Sequence, residues 1–215
     1  MFRPKFSLMG ESALLCDFAS GRFDQKTQAR LWSACSLLRS QDSVGNVVAG
    51  INNLLVSFDP LVTTLAAVEG AVRIAWEESD AVLTRGAEHE IEVDYGGPDT
   101  DFGEVAAALS LSAREIVDLH VAPTYWVAAV GFIPGWGYLT GLDERLVLPR
   151  RSEPKTRVPS GSVLIASTLT AVMPLPSPSG WHVLGRTEQV LFSLDREPHC
   201  LLACGDRVRF REARP

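Results

Sequence analysis

Between Gly131 and Thr187 glycines, prolines, aromatics and arginines crowd into three short blocks, so this stretch cannot fold as long helices. The blocks are Gly131-Phe-Ile-Pro-Gly-Trp-Gly-Tyr-Leu-Thr-Gly141, Pro149-Arg-Arg-Ser-Glu-Pro-Lys-Thr-Arg-Val-Pro-Ser-Gly-Ser162 and Ser177-Pro-Ser-Gly-Trp-His-Val-Leu-Gly-Arg-Thr187. Around them lie short apolar runs at Tyr125 to Val130, Val163 to Ala166, Ala171 to Met173, Trp181 to Leu184, Val190 to Leu194 and Val208 to Phe210. Short strands divided by turn residues predict a closed or nearly closed β-barrel.

The first 95 residues have a different texture. Ser12 to Phe18 reads as a strand, and Gln25 to Arg39 carries Leu31, Cys35 and Leu38 at helical spacing. Leu54, Val56 and Phe58 alternate up to the Asp59-Pro60 break, and Leu61, Leu65, Val68 and Val72 form the stripe of a second helix. Ile91, Val93 and Tyr95 alternate with acidic residues, as in a strand with one wet face. This order predicts a small α+β sandwich with two helices on one face of a sheet. After Gly96-Gly97-Pro98-Asp99 two short helices are expected, the second opened by a Ser112 and Glu115 capping box.

Composition narrows the function. A net charge of −6 excludes a general affinity for nucleic acid. No apolar run is long enough for a membrane helix, and the opening Met-Phe-Arg-Pro-Lys-Phe lacks a signal-peptide core, so the expected location is cytoplasmic. Cys16, Cys35, Cys200 and Cys204 form no paired CxxC pattern and read as buried free thiols, with no metal site.

The three blocks hold the candidate site residues. Trp136, flanked by Gly135 and Gly137, and nearby Tyr138 suit a ligand wall or a barrel plug. Arg150, Arg151, Lys155 and Arg157 are framed by Pro149, Pro154 and Pro159, and Ser160-Gly161-Ser162 follows; this is either an anion-binding loop or a solvated basic one. Arg186 closes the third block. His182 is a candidate general base, as is His120, although a histidine at a helix C-terminus is favourable as a plain cation. No Walker loop, GxGxxG or Ser/His/Asp order is present, so the residues alone do not describe a complete enzyme.

The blocks resemble the family that contains the B subunit of bacterial 5-oxoprolinase, subunit 1 of the so-called allophanate hydrolases and the Kip-type inhibitors of sporulation histidine kinases. The family pattern reads roughly GFxPGFxYLxGL, PRxxxPRxxVPxGSVxIA and SPGGWxxIGRT; Tyr95-Gly96-Gly97, the Leu119-His120 pair and Gly205-Asp206-Arg207-Val208 extend the likeness. The resemblance implies a ferredoxin-like domain over residues 1–90 and a cyclophilin-like β-barrel over 91–215. It implies one component of a complex with a homologous C subunit and a further A subunit, opening the 5-oxoproline lactam to glutamate with ATP bound by the complex. In that setting Arg150 and Arg157 would clamp an anion, Gly161 and Ser162 would donate hydrogen bonds, and Trp136 and Tyr138 would wall the pocket. The alternatives are a regulator of a sensor histidine kinase or a component of an amidohydrolase acting on a urea-derived substrate such as allophanate. Departures fall at Trp136-Gly137, at Lys155 for an arginine, at Leu169 for a glutamine, at Met173 for a tyrosine and at Ser179 for a glycine.

Overall fold

The computed structural model describes residues 4–19, 23–42, 44–80 and 86–213, so Met1, Phe2 and Arg3 of the opening segment lie outside the described residues. The chain divides into two compact units, Met1–Thr84 and Arg85–Pro215.

The first unit runs β1 (Lys5–Met9), β2 (Ala13–Asp17), α1 (Gln25–Arg39), β3 (Val47–Ala49), β4 (Asn53–Ser57) and α2 (Leu65–Glu78). Its sheet has the order β1-β2-β4-β3 with every neighbour antiparallel. Alternation turns Leu14, Cys16, Leu54 and Val56 to one face, where they meet Leu31, Cys35 and Leu38 of α1 and Val68, Val72 and Ala75 of α2. Burial pushes the Cys16 thiol up to about 12, so it behaves as an apolar side chain. Arg30 on α1 lies 4.3 Å over the Trp76 ring and donates to Ser79 Oγ, tying the end of α2 to α1. One expectation shifts: Leu61 precedes α2 and is 94% exposed. The Asp59 carboxylate accepts the Leu61 amide at 2.9 Å, which makes a turn, and the helix starts only after its Thr64 cap.

The second unit runs β5 (Glu88–Tyr95), α3 (Phe102–Leu109), α4 (Ala113–Val121), β6 (Tyr125–Val130), β7 (Gly137–Thr140), β8 (Lys155–Val158), β9 (Ser162–Ala166), β10 (Leu169–Val172), β11 (Ser177–Ser179), β12 (His182–Arg186) and β13 (Arg207–Glu212). Seven strands close a barrel in the order β10-β7-β6-β13-β5-β12-β9, while β8 and β11 form a separate two-stranded ribbon. β5 alternates as expected, yet it belongs to this barrel and not to the N-terminal sheet, pairing in parallel with β13. The Ser112 and Glu115 capping box opens α4. Residues 190–194 form no strand: the Arg196 guanidinium takes the Val190 and Leu191 carbonyls at 3.0 and 2.8 Å, leaving only an isolated bridge between Phe192 and Cys200.

β9 is buried on both faces, and this decides where a site can form. Val163 and Ile165 point into the barrel core with Ile91, Val93, Tyr125, Leu139, Leu184 and Phe210. Leu164 and Ala166 point outward into a second apolar cluster with Trp136, Val158, Ala171, Met173, Trp181 and Val183. The β8–β11 ribbon contributes Val158 to that outer cluster.

Candidate functional site

The outer cluster brings the three blocks together. Phe132, Trp136 and Tyr138 from the first, Arg150 from the second, and Pro178, Ser179, Gly180 and Trp181 from the third line a cleft of about 130 Å³. Trp136 meets Trp181, Phe132 and Tyr138 edge to face, with ring centroids 5.2, 5.4 and 5.8 Å apart. Offset and edge geometries of this kind are the favoured ones between aromatic rings. The first block is held by a tight turn in which the Trp136 amide donates to the Ile133 carbonyl at 3.1 Å. Just before it, the Ile133 amide donates to the Gly131 carbonyl at 3.0 Å, a three-residue turn that places Phe132 in the left-handed region, at φ 69°, and leaves the residue 59% exposed at the rim. Such a conformation is costly for a bulky residue. Blocks two and three touch where the Arg151 amide donates to the Gly180 carbonyl at 2.8 Å.

Electrostatics divides the basic block. Asp101, just ahead of α3 and 3% exposed, takes Arg151 Nη1 and Lys155 Nζ on Oδ1, each at 2.8 Å, while its Oδ2 accepts the Val183 amide at 2.9 Å. Glu104 adds a second acceptor for Arg151 at 2.6 Å. These two cations therefore stitch the loop to α3 and β12. Among the described residues no carboxylate pairs with Arg150 or Arg157. Arg150 stands 6.0 Å from the Trp181 ring centre, so a free cation borders the aromatic cleft. Arg157 is exposed on β8. Asp101 carries no motif of its own; the only hint in the sequence is an acidic residue at the start of a short helix.

The other candidates sit elsewhere. The Gly161 amide donates to the Met173 carbonyl at 2.7 Å and its φ is +79°; a Cβ there would come within 2.3 Å of the Thr187 carbonyl oxygen. Ser162, 1% exposed, follows at the start of β9. Arg186 borders a different, wider groove of about 500 Å³ with Glu90, Glu92, Asp94 and Glu188. His182 Nε2 donates to the Pro149 carbonyl at 2.9 Å, bracing the residue before Arg150. His120 is fully buried rather than a surface cation. Thr170 Oγ1 donates to the Leu164 carbonyl and so accepts from His120 Nε2, both at 2.9 Å, while Nδ1 accepts the Tyr95 hydroxyl at 2.6 Å. Burial holds this imidazole neutral, down to about 3 from 6.5.

One donor in the cleft wall is unmatched. Trp136 is 2% exposed and its Nε1 has no hydrogen-bond partner. An unsatisfied buried donor costs about 1–3 kcal/mol. Leu169 and Met173 belong to the same apolar cluster, so the positions where the family pattern has a glutamine and a tyrosine carry no polar group to Trp136 here. Among the described residues no group of three or more His, Cys, Asp or Glu could hold a metal ion, and no helix is long and apolar enough to cross a membrane.

Comparison with known proteins follows the same residues. The carboxyltransferase domain family, subdomain C and D, matches residues 4–202. A protein of Escherichia coli O157:H7 named as the B subunit of 5-oxoprolinase is 38% identical over 212 residues, which cover 98% of this chain and 96% of that one. The chain belongs to the family of 5-oxoprolinase B subunits. Among solved structures, TTHA0988 is similar at 33% identity and a TM-score of 0.79 over 94% of this chain, which spans 40% of that longer one. The Kluyveromyces lactis urea carboxylase shares the fold, with a TM-score of 0.83 at 14% identity over 98% of this chain and 22% of that one. Within this family frame, the aromatic cleft is where all three signature blocks converge.

Proposed function

We propose that this protein is the B subunit of an ATP-dependent complex of the 5-oxoprolinase type, which opens the 5-oxoproline lactam to glutamate together with a homologous C subunit and a further A subunit. The observation that carries this reading is the 38% identity to a 5-oxoprolinase B subunit over nearly the full length of both chains. A relative in which this chain corresponds to 40% of a longer polypeptide supports work alongside further protein. On this reading the first unit is ferredoxin-like. In its support, β4 lies between β2 and β3, which α1 connects, while β1 takes the outer edge beside β2. The second unit is cyclophilin-like in topology, which carries no implication of prolyl isomerase chemistry.

The cleft receives the substrate. Arg150 meets the carboxylate, Trp136, Tyr138 and Trp181 wall the ring, and exposed Arg157 offers a second cation toward the rest of the complex. ATP does not fit here: a cleft of about 130 Å³ bordered by one unpaired arginine is well below the roughly 300–1,000 Å³ of ordinary ligand pockets. The wider groove of about 500 Å³ is lined by Glu90, Glu92, Asp94 and Glu188, which repel a polyphosphate, so nucleotide chemistry is assigned to partner subunits and this chain's part is to bind and orient. The test is reconstitution with the A and C subunits from the same genome. ATP hydrolysis stimulated by 5-oxoproline, with glutamate formed and both lost when this chain is omitted, is the expected result. Full turnover without this chain would overturn the reading.

A further inference from the structure

Arg150 projects from a short arch whose flanking residues are both tied down. On one side His182 Nε2 donates to the Pro149 carbonyl at 2.9 Å, and that carbonyl shares a peptide plane with the Arg150 amide. On the other side the Arg151 amide donates to the Gly180 carbonyl at 2.8 Å, and Arg151 Nη1 reaches Asp101 Oδ1, also at 2.8 Å. Gly180 lies against the arch: a Cβ there would stand 3.9 Å from the Arg150 Cβ and 3.7 Å from the Arg151 carbonyl oxygen. The guanidinium between these tethers has no carboxylate partner among the described residues and stands 6.0 Å from the Trp181 ring centre. Residues 180–182 thus supply the ring beside the cation and two of the tethers that hold its backbone.

His182 itself does not line the cleft, although Gly180 and Trp181 do. Its Nε2 is engaged by the Pro149 carbonyl, which can only accept, so the proton sits on Nε2. Its Nδ1 is buried with no hydrogen-bond partner. Neither nitrogen is presented to a ligand, as a general base must be.

We propose that His182 is the positioning residue of Arg150: its Nε2–H holds the Pro149–Arg150 peptide against the third block, so that the guanidinium is kept beside Trp181 to meet an anion, and His182 transfers no proton. That the anion is a substrate carboxylate rests on the functional reading above. The tether is a property of this chain and is tested without partners.

The experiment has two arms, the first on the full chain labelled with ¹⁵N at tryptophan. The Trp181 indole signal is assigned by its disappearance in Trp181→Phe, and the shift that Arg150→Ala causes in it is measured in three backgrounds. These are the wild type, His182→Gln, whose side-chain amide can still donate, and His182→Phe, which keeps a planar ring without a donor; His182→Leu is the second donor-free variant should the phenyl ring not be accommodated. Comparing Arg150→Ala within each background cancels the direct effect of changing the residue next to Trp181. The shift is expected to be similar in the wild type and His182→Gln and about threefold smaller or less in the donor-free variants. Equal shifts in every background, or none in the wild type, would overturn the inference.

The second arm uses the complex reconstituted with the A and C subunits. His182→Phe is expected to raise KM for 5-oxoproline about fivefold with kcat within about twofold of wild type, and to add nothing to Arg150→Ala; His182→Gln should restore KM. A fall in kcat of about a hundredfold in both His182 variants would show proton transfer at His182 and overturn the inference. So would an unchanged KM in His182→Phe where Arg150→Ala raises it. A complex inert toward 5-oxoproline removes the functional reading, and the first arm alone then decides the inference. Failure of the first arm with a complex that turns over 5-oxoproline removes the inference and leaves the functional reading standing.

Discussion

His120 shows how far burial can change what a residue does. At the end of α4 a histidine is favourable as a cation near the helix C-terminus, yet here the ring sits inside the barrel between Tyr95 and Thr170. Its folded value is depressed below its unfolded one, so the unfolded chain takes the proton first. Its contribution to stability is complete above pH 6.5 and is lost as pH falls from there toward about 3. The limiting slope is about 1.4 kcal/mol per pH unit. Urea unfolding at a series of pH values should show this slope in the wild type and a flatter one in His120→Gln, which retains hydrogen-bonding groups without titrating. Equal slopes would mean that the imidazole is not the group being protonated. Trp136 is the complementary residue: its flanking glycines are visible in the sequence, but its unmatched N–H depends on what Leu169 and Met173 leave out of the surrounding cluster.

At the scale of elements, the signals that were legible are local. The spacing of Leu31, Cys35 and Leu38 marks α1, the Ser112 to Glu115 spacing marks the start of α4, and the alternation around Ile91 marks β5. Long-range pairing was not legible. β5 looks like the last strand of the N-terminal sheet until β13, at the far end of the chain, pairs with it in parallel. Asp101 and Arg151 are likewise 50 positions apart, and no periodicity links them. Their ion pair, with Lys155, holds the block-two loop on α3 and β12, and so fixes the backbone from which Arg150 projects. Asp101→Asn keeps an acceptor but removes the charge facing two cations that are still partly open to water. The expected cost is about 2–4 kcal/mol in urea unfolding. A change below about 0.5 kcal/mol would mean that solvent screens the network.

For the whole molecule, the three sequence blocks converge on one cleft, but not all of their candidate residues line it. Trp136, Tyr138 and Arg150 share one cleft, whereas Arg186 borders an acidic groove and the Gly161 amide is engaged with Met173. The divergence has a physical reason. Glycine and proline announce tight turns and close approaches, but whether an approach is to a ligand or to the protein's own backbone depends on strands that pair across the barrel. Within the second unit the closed barrel core leaves the outer cluster on β9 and β12 as a platform for the cleft. The central claim is that this cleft belongs to the substrate site of the assembled enzyme. The most direct measurement is glutamate formation from 5-oxoproline by the reconstituted complex carrying Arg150→Ala. With assembly verified by size-exclusion chromatography, turnover at limiting substrate should fall by about tenfold or more. Unchanged turnover in an intact complex would contradict the account.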